Sequence, residues 1–306
     1  MNRRRAVIAM VLMAVLVLQI GCTSQVPDGG KETGGKAQQD VQRGIMEEFD
    51  RLAGDGAKLA ETVEFINDNI AQMSGENASV LVNRLEEMQR ENLSDLGERF
   101  YSDAEIQNAL NSLYQPGAAI DMEDADRVEH EGLRALLMEA GSTGYRVETA
   151  EGMYFPIIDY SFHQKYSDYV SDDMKEYIEI MAVESGEVPA KDAALVIGWD
   201  EIVERALRQD RFLENYPDSI KMDDIRQLHK NYIMFSLYGL NNTPLFGYDN
   251  QAMDGDAKDV FMQAVEGGED GEYIKILKTF LEMLEKNNYR LTDEADEYRK
   301  AIYDNI

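Results

Sequence analysis

The chain has 306 residues, of which 44% are hydrophobic, and 59 acidic residues stand against 30 basic ones. Its formal net charge of −29 argues strongly against binding to nucleic acid, because the phosphates would be repelled. The hydrophobic content is that of a folded protein and excludes a disordered acidic tail, and the length allows one large or two ordinary domains.

The first 22 residues predict a secretory signal. Arg3, Arg4 and Arg5 form a basic start, and residues 6–20 form an apolar run that is short for a membrane span. Residues 18–22 (LQIGC) resemble the lipobox of bacterial lipoproteins, although Gln19 stands where that family usually has leucine. The resemblance implies cleavage before Cys22, the single cysteine of the chain, and a diacylglyceryl group on its thiol.

We therefore predict a signal peptide over residues 1–21 and a lipidated Cys22 followed by a flexible tether over residues 22–39, which are rich in glycine. The protein would then lie outside the cytoplasm, and its acyl chains, palmitate among them, would be its link to the membrane. The alternatives are a soluble secreted protein with a spare thiol and an uncleaved membrane anchor. Without residues 1–21 the formal charge is −32, which repels anionic lipid headgroups.

Residues 38–141 are predicted to form a helical bundle, because apolar residues recur three and four positions apart. One such stripe runs from Leu59 to Met73, and a second runs from Val82 to Phe100 after a break at Ser74. Ser102 is expected to cap a third helix. A further helix is predicted from Asp121 to Ala140, with an acid-rich first turn that suits the helix dipole better than a calcium site. A coiled-coil stripe that binds a partner is the alternative to an internal seam.

Residues 142–306 are predicted to form one small β-hairpin and then helices. The hairpin covers 145–149 and 153–160 around a turn at Gly152, and Pro156 indicates an edge strand. Helices are expected in six stretches: 172–184, 190–216, 220–238, 256–266, 271–287 and 292–304. The predicted fold class is therefore mainly α.

The segment from Glu201 to Ser219 ends in FLENYPDS and resembles the close of a first helix in the tetratricopeptide (TPR)-like repeats of bacterial envelope lipoproteins. The resemblance implies that residues 220–238 form an antiparallel partner helix. It covers about forty residues, with no second good copy at the repeat period, whereas a repeat array needs about three units. The C-terminal part also resembles lipoproteins of Gram-positive, endospore-forming bacteria, a resemblance that implies no activity. We expect a TPR-like helical domain or a bundle.

No residue pattern makes a strong case for catalysis. Asp159, Ser161 and His163 would share one face of a strand, but a working triad is normally assembled from separate segments. The remaining histidines, His130 and His229, show no zinc-ligand spacing. The acidic residues of 254–259 could offer oxygen ligands to calcium, but a helix cap explains them equally well. We predict a chain that is not an enzyme and has neither a cofactor nor a metal site.

Aromatic residues are the most suggestive feature, since eight of them crowd into positions 145–177. Tyrosine combines apolar area with a polar tip, which suits binding surfaces, yet the same rings could pack a hairpin against helices. The candidate binding surface comprises Tyr154, Tyr160, His163, Tyr166, Tyr169 and Trp199. Both interpretations stay open at this point.

The favoured function is a lipid-anchored module of the cell envelope that binds another envelope protein. Its support is the predicted address together with the TPR-like helices. A solute- or glycan-binding lipoprotein is the alternative, although repeated βα units around a hinge, typical of such proteins, are not predicted. An envelope hydrolase is the second alternative.

Overall fold

The computed structural model describes residues 30–54, 58–115, 120–268 and 270–305, and these are mainly α-helical, as predicted. The chain divides into two units, residues 1–40 and residues 41–306. The α-helices are α1 (Gly30–Leu52), α2 (Leu59–Asn69), α3 (Gly75–Tyr101), α4 (Ala104–Leu113), α5 (Glu131–Ser142), α6 (Asp172–Gly186), α7 (Trp199–Asn215), α8 (Met222–Tyr238), α9 (Gly255–Glu266), α10 (Glu272–Glu285) and α11 (Asp293–Asn305). Within these described ranges, no helix combines the length and the apolar character needed to cross a bilayer.

The N-terminal helices follow the predicted stripes. Val63, Ile66 and Ile70 are buried, and the stripe passes from α2 into a single 3₁₀ turn over Ile70–Gln72. Ser74 caps α3, since its hydroxyl accepts the backbone N–H of Asn77 at 3.3 Å. The two helices pack against each other through these stripes, because a side chain every three or four residues faces the same side of a helix.

Three local predictions are wrong in this region. Asp103 rather than Ser102 caps α4, and its carboxylate accepts the backbone N–H of Glu105 at 2.8 Å. The acidic stretch is a 3₁₀ helix over Met122–Arg127 and is separate from α5, which His130 caps. Helix α1 begins at Gly30, inside the segment predicted as a tether, because adding turns to an existing helix costs far less than nucleating one.

The predicted hairpin is present as β1 (Tyr145–Ala150) and β2 (Met153–Ile158). Glu151 and Gly152 both have positive φ, at 51° and 74°, which is the turn that matches the twist of two-residue hairpins. Pro156 lies opposite Val147, whose N–H donates to Ile120 instead, so the ring at position 156 removes no ladder hydrogen bond.

Residues 190–198 are not helical, so the predicted helix over 190–216 is wrong in its first part. They form strands β3 (Ala190–Lys191) and β4 (Ala194–Leu195), and the helix starts at Trp199. A second short hairpin, β5 (Gly239–Leu240) and β6 (Thr243–Pro244), holds this turn in place. The N–H of Asn242 donates to the Ala193 carbonyl at 2.8 Å, a long-range contact that local propensity cannot anticipate.

Two hydrophobic cores succeed each other along the chain. The first runs from Phe49 through the hairpin and α6 and also takes in Phe212 and Ile225. The second is built from α7 to α11, from Ile202 to Ala295. The hydrophobic core therefore changes near residue 200, because the rings of the hairpin pack into the N-terminal helices.

A pocket between helices α7, α8 and α10

The predicted aromatic surface is mostly core. Tyr154, Tyr160, His163 and Tyr166 are buried in the first core, and only Tyr169, at 41% exposure, faces solvent to a large extent. Trp199 is partly buried and packs against the second core, where its ring meets Phe261 edge-on at 5.8 Å. The alternative interpretation, rings that fix the hairpin against helices, therefore describes these residues, and together they form no surface.

Asp159, Ser161 and His163 do not form a catalytic triad. The Asp159 carboxylate caps the 3₁₀ helix over Tyr160–Tyr166 by accepting the backbone N–H of Ser161 at 3.0 Å, and it also accepts the Ser161 hydroxyl at 2.7 Å. His163 instead contacts Gln89, with 2.8 Å between Nε2 and Oε1. Burial lowers the pKa of His163 to about 4, so this ring is a neutral part of the core.

A buried ionic network joins α3 to the start of α8. Lys221 donates to the Glu86 carboxylate at 2.6 Å, and the two side chains are 3% and 2% exposed. The other carboxylate oxygen accepts from Arg90, Tyr160 and Tyr177 at 2.5–2.6 Å. Both carboxylate oxygens of Glu86 thus accept hydrogen bonds from side chains of the protein itself. The network therefore joins the helices and is not an open site.

An open pocket of about 540 Å³ lies between helices α7, α8 and α10. Each helix contributes residues spaced three or four apart, so one stripe of each faces the pocket. The lining comprises Asp210, Leu213, Glu214, Met222, Arg226, His229, Lys230, Ile233, Asp270, Gly271, Glu272, Lys275 and Asn305. Its volume lies in the range of pockets that hold small ligands.

His229 is the unusual residue of this pocket. It is 4% exposed, and neither ring nitrogen has a hydrogen-bond partner among the described residues. Its Nε2 lies 3.6 Å from Oδ1 of Asp210, and its ring meets that of Tyr273 at 6.0 Å. Burial lowers its pKa to about 4, so the imidazole is neutral at neutral pH. A buried polar group without a partner is costly, which makes it a candidate for contact with a ligand.

Asp210 is held in position by the start of α10. Its Oδ2 accepts the backbone N–H of Tyr273 at 3.4 Å. A Cβ added to Gly271 would lie 1.8 Å from the same oxygen, so glycine is needed for the carboxylate to sit there. The pocket therefore combines a fixed carboxylate with a neutral imidazole at its base.

The pocket wall is mixed. Leu213, Met222 and Ile233 supply apolar surface, whereas Arg226 and Lys275 at the mouth are exposed. Arg226 pairs with Asp223, and Lys275 lies 3.8 Å from Asp270. The mouth is thus polar and exposed, while His229 at the base is buried.

Two other groups of polar residues have ordinary structural roles. Asp254 caps α9 by accepting the backbone N–H of Ala257 at 2.9 Å, as the helix-cap interpretation predicts. Asp103, Glu105 and His130 have ligand atoms within 4.8 Å of one another, but the two acids are exposed. Asp103 and His130 also cap helices with side-chain atoms, which accounts for their positions.

The sequence placed His229 in a helix and contained no local signal for the pocket, which exists only where three helices meet. The predicted Cys22 lies outside the described residues. Comparison of the chain with protein-family models, with curated proteins and with solved structures gave no match. The pocket with its buried His229 is therefore the candidate functional site.

Proposed function

We propose that the protein is a lipoprotein held outside the cytoplasm by a diacylglyceryl group on Cys22. The support is the basic start, the apolar run of residues 6–20 and the LQIGC sequence. Two acyl chains give stable membrane attachment, and the acidic body adds no attraction of its own.

Growth with an alkyne analogue of palmitate tests this anchor. We expect the wild-type chain to be labelled and to sediment with membranes, whereas Cys22→Ser is unlabelled. Cys22 is the single cysteine, so no other thiol can carry the label. An unmodified thiol in the mature wild-type protein would contradict the proposal.

We infer that the anchored body acts by binding and not by catalysis, and that its partner is another protein of the envelope. The observation that carries this inference is His229, which is buried, unpaired and part of a pocket that opens between three helices. Small-ligand sites are concave and combine apolar walls with a few well-placed polar groups. This pocket is concave, and its apolar part is Leu213, Met222 and Ile233, but most of its lining is charged or polar.

The helix pair that forms the pocket also supports a protein partner. Helices α7 and α8 run antiparallel, since Arg205 contacts Tyr232 and Asp210 approaches His229. They are joined through the Tyr216–Ser219 segment on which the TPR-like resemblance rests. Such helix pairs commonly present one face to a partner.

Site-specific photocrosslinking tests the partner. A photoreactive side chain in place of Glu214, which is exposed and lines the pocket, is expected to form a discrete adduct with one membrane protein. The same group in place of Glu64, an exposed residue of α2, is the matched control. Equal adducts at both positions, or none at position 214, would contradict a partner at the pocket.

A small solute is the second candidate ligand, favoured by the pocket volume and by the burial of His229 at its base. It predicts that a small molecule copurifies with the protein and protects the pocket without any protein adduct. Mass spectrometry of the native protein after mild denaturation distinguishes this outcome from protein binding.

A further inference from the structure

We propose that the pocket between α7, α8 and α10 seats an ammonium group, with His229 Nε2 and Asp210 Oδ1 as its hydrogen-bond acceptors. This proposal rests on the proposed function only in taking the pocket as the binding site. It does not depend on how the protein is anchored.

The imidazole is an acceptor. A neutral ring carries one N–H and one bare nitrogen. The backbone carbonyl of Ala206, on the same helix as Asp210, favours a proton on the ring, although neither nitrogen completes a hydrogen bond. We assign that proton to Nδ1, which is an assignment and not an observation, so that Nε2 is the bare nitrogen. Nε2 lies 3.6 Å from Oδ1 of Asp210. Two acceptors at this spacing suit a group with several donors.

The charge around the two acceptors favours a cation. Asp210 is fixed beside the ring, and the charge of Glu272 also acts on the imidazole. Four acids line the pocket against three basic residues. Arg226 and Lys275 are exposed and lie against Asp223 and Asp270, and the ammonium of Lys230 lies 5.3 Å from the centre of the Tyr303 ring. An ammonium has three donors and no acceptor, so it can donate to both Nε2 and Oδ1.

An anion fits less well. It would need a protonated His229, but burial holds the pKa of this ring at about 4. It would also have to lie beside the carboxylate of Asp210, and two negative charges repel each other more strongly in buried surroundings than in water. The whole chain, at −29, likewise attracts cations and repels anions.

The wall defines the rest of the ligand. Leu213, Met222 and Ile233 offer apolar surface on the same pocket. A ligand with an aliphatic part next to its ammonium would bury that part against these residues, at about 25 cal/mol per Å². The chemical class is therefore an aliphatic amine, either as a free solute or as the N-terminus of a partner chain.

Histidine NMR signals provide the test, since the chain has three histidines. The probe is L-leucinamide, which has an ammonium and an aliphatic side chain, and N-acetyl-L-leucinamide is the matched compound without the charge. We expect L-leucinamide to move the ring signals of His229 in the full-length protein. The signals of His163, which is paired with Gln89, and of the helix-capping His130 should stay in place.

The proposal is overturned if L-leucinamide at about 10 mM leaves the His229 signals unmoved, since this concentration would reveal binding with a Kd of about 1 mM. It is also overturned if the acetylated compound moves them equally. Asp210→Asn should weaken L-leucinamide binding at least about tenfold, and Asp68→Asn, at an exposed position of α2, should not. Because Asp210 also caps α10, Glu214→Gln is the second variant, and it should weaken binding about twofold with an unchanged circular dichroism spectrum.

The two sources of the amine are separated by a peptide. If Leu-Ala-Ala binds at least about tenfold more tightly than L-leucinamide, the pocket takes the N-terminus of a chain. If L-leucinamide binds equally well or better, the pocket takes a free amine. Either result supports the ammonium seat, whereas failure of the crosslinking experiment would remove only the protein partner.

Discussion

Replacing Lys221 by methionine is expected to lower the free energy of unfolding by about 3–5 kcal/mol at neutral pH. The change keeps the length of the side chain and removes its charge. It leaves Glu86, which is 2% exposed, without the cation that donates to it at 2.6 Å. The cost arises because a buried carboxylate loses its principal counter-charge and has no water to replace it.

The structure gives a second route to the magnitude. Burial by itself raises the pKa of Glu86, but the charges of Lys221 and Arg90 outweigh burial and lower it to about 2 from 4.5. At about 1.4 kcal/mol per pH unit, that lowering corresponds to about 3 kcal/mol of stability. A lowered carboxyl pKa stabilises the fold above pH 4.5, and this contribution is lost as the pH falls from 4.5 towards 2.

Urea denaturation followed by circular dichroism measures the effect. Lys175→Met is the control, because Lys175 and Asp168 are exposed and their atoms lie 3.8 Å apart, so a change within about 0.5 kcal/mol is expected. The double variant Glu86→Gln/Lys221→Met should recover most of the loss, since no buried charge then remains unpaired. Equal losses in Lys221→Met and Lys175→Met, or no recovery in the double variant, would refute this reasoning.

Three further changes follow from the same structure, and urea denaturation measures each of them. His163 has a pKa of about 4 in the folded protein against 6.5 for a free imidazole, so its contribution lowers the free energy of unfolding by up to about 3 kcal/mol as the pH falls from 6.5 to 4. His163→Gln should make stability depend less on pH over this range. Parallel curves of stability against pH for the two proteins would contradict this. Gly239→Ala should lower the free energy of unfolding by at least about 2 kcal/mol, because φ is +67° and a Cβ would lie 2.3 Å from the backbone oxygen of Thr243. Gly186→Ala is the control, and it should be neutral or stabilising because the space around Gly186 is open. Tyr232→Phe removes the hydroxyl that donates to the Glu184 carboxylate at 2.7 Å, and we expect a loss of about 1–3 kcal/mol; an unchanged midpoint would show that water replaces the bond.

Regular helices and the first hairpin could be predicted because their signals are local. The stripe through Val63 and Ile66 needs only the helical period, and the hairpin turn is signalled by Gly152, which accepts positive φ without strain. The helix prediction for residues 190–198 was wrong because their conformation depends on a distant contact. Ala193 adopts a φ of 58°, which is unfavourable for alanine, and distant Asn242 holds it there.

The candidate site was beyond prediction for a similar reason. His229 looks like any other helical residue in the sequence, and its lack of partners appears only once α7, α8 and α10 come together. Most tyrosines of 145–177 are buried and Tyr169 is exposed, and the sequence could not distinguish them because burial depends on what packs over each ring. Composition cannot distinguish a ring that faces water from one that faces α3.

The amino-acid sequence by itself determined the helical class, the first hairpin and the charge, since these depend on residue type and on spacing within a few turns. The tertiary structure alone decided where one core ends and the next begins, and which side chains remain unpaired at a pocket. Both properties depend on contacts between residues far apart in the chain. Hydrogen bonding and burial are settled only when those residues meet.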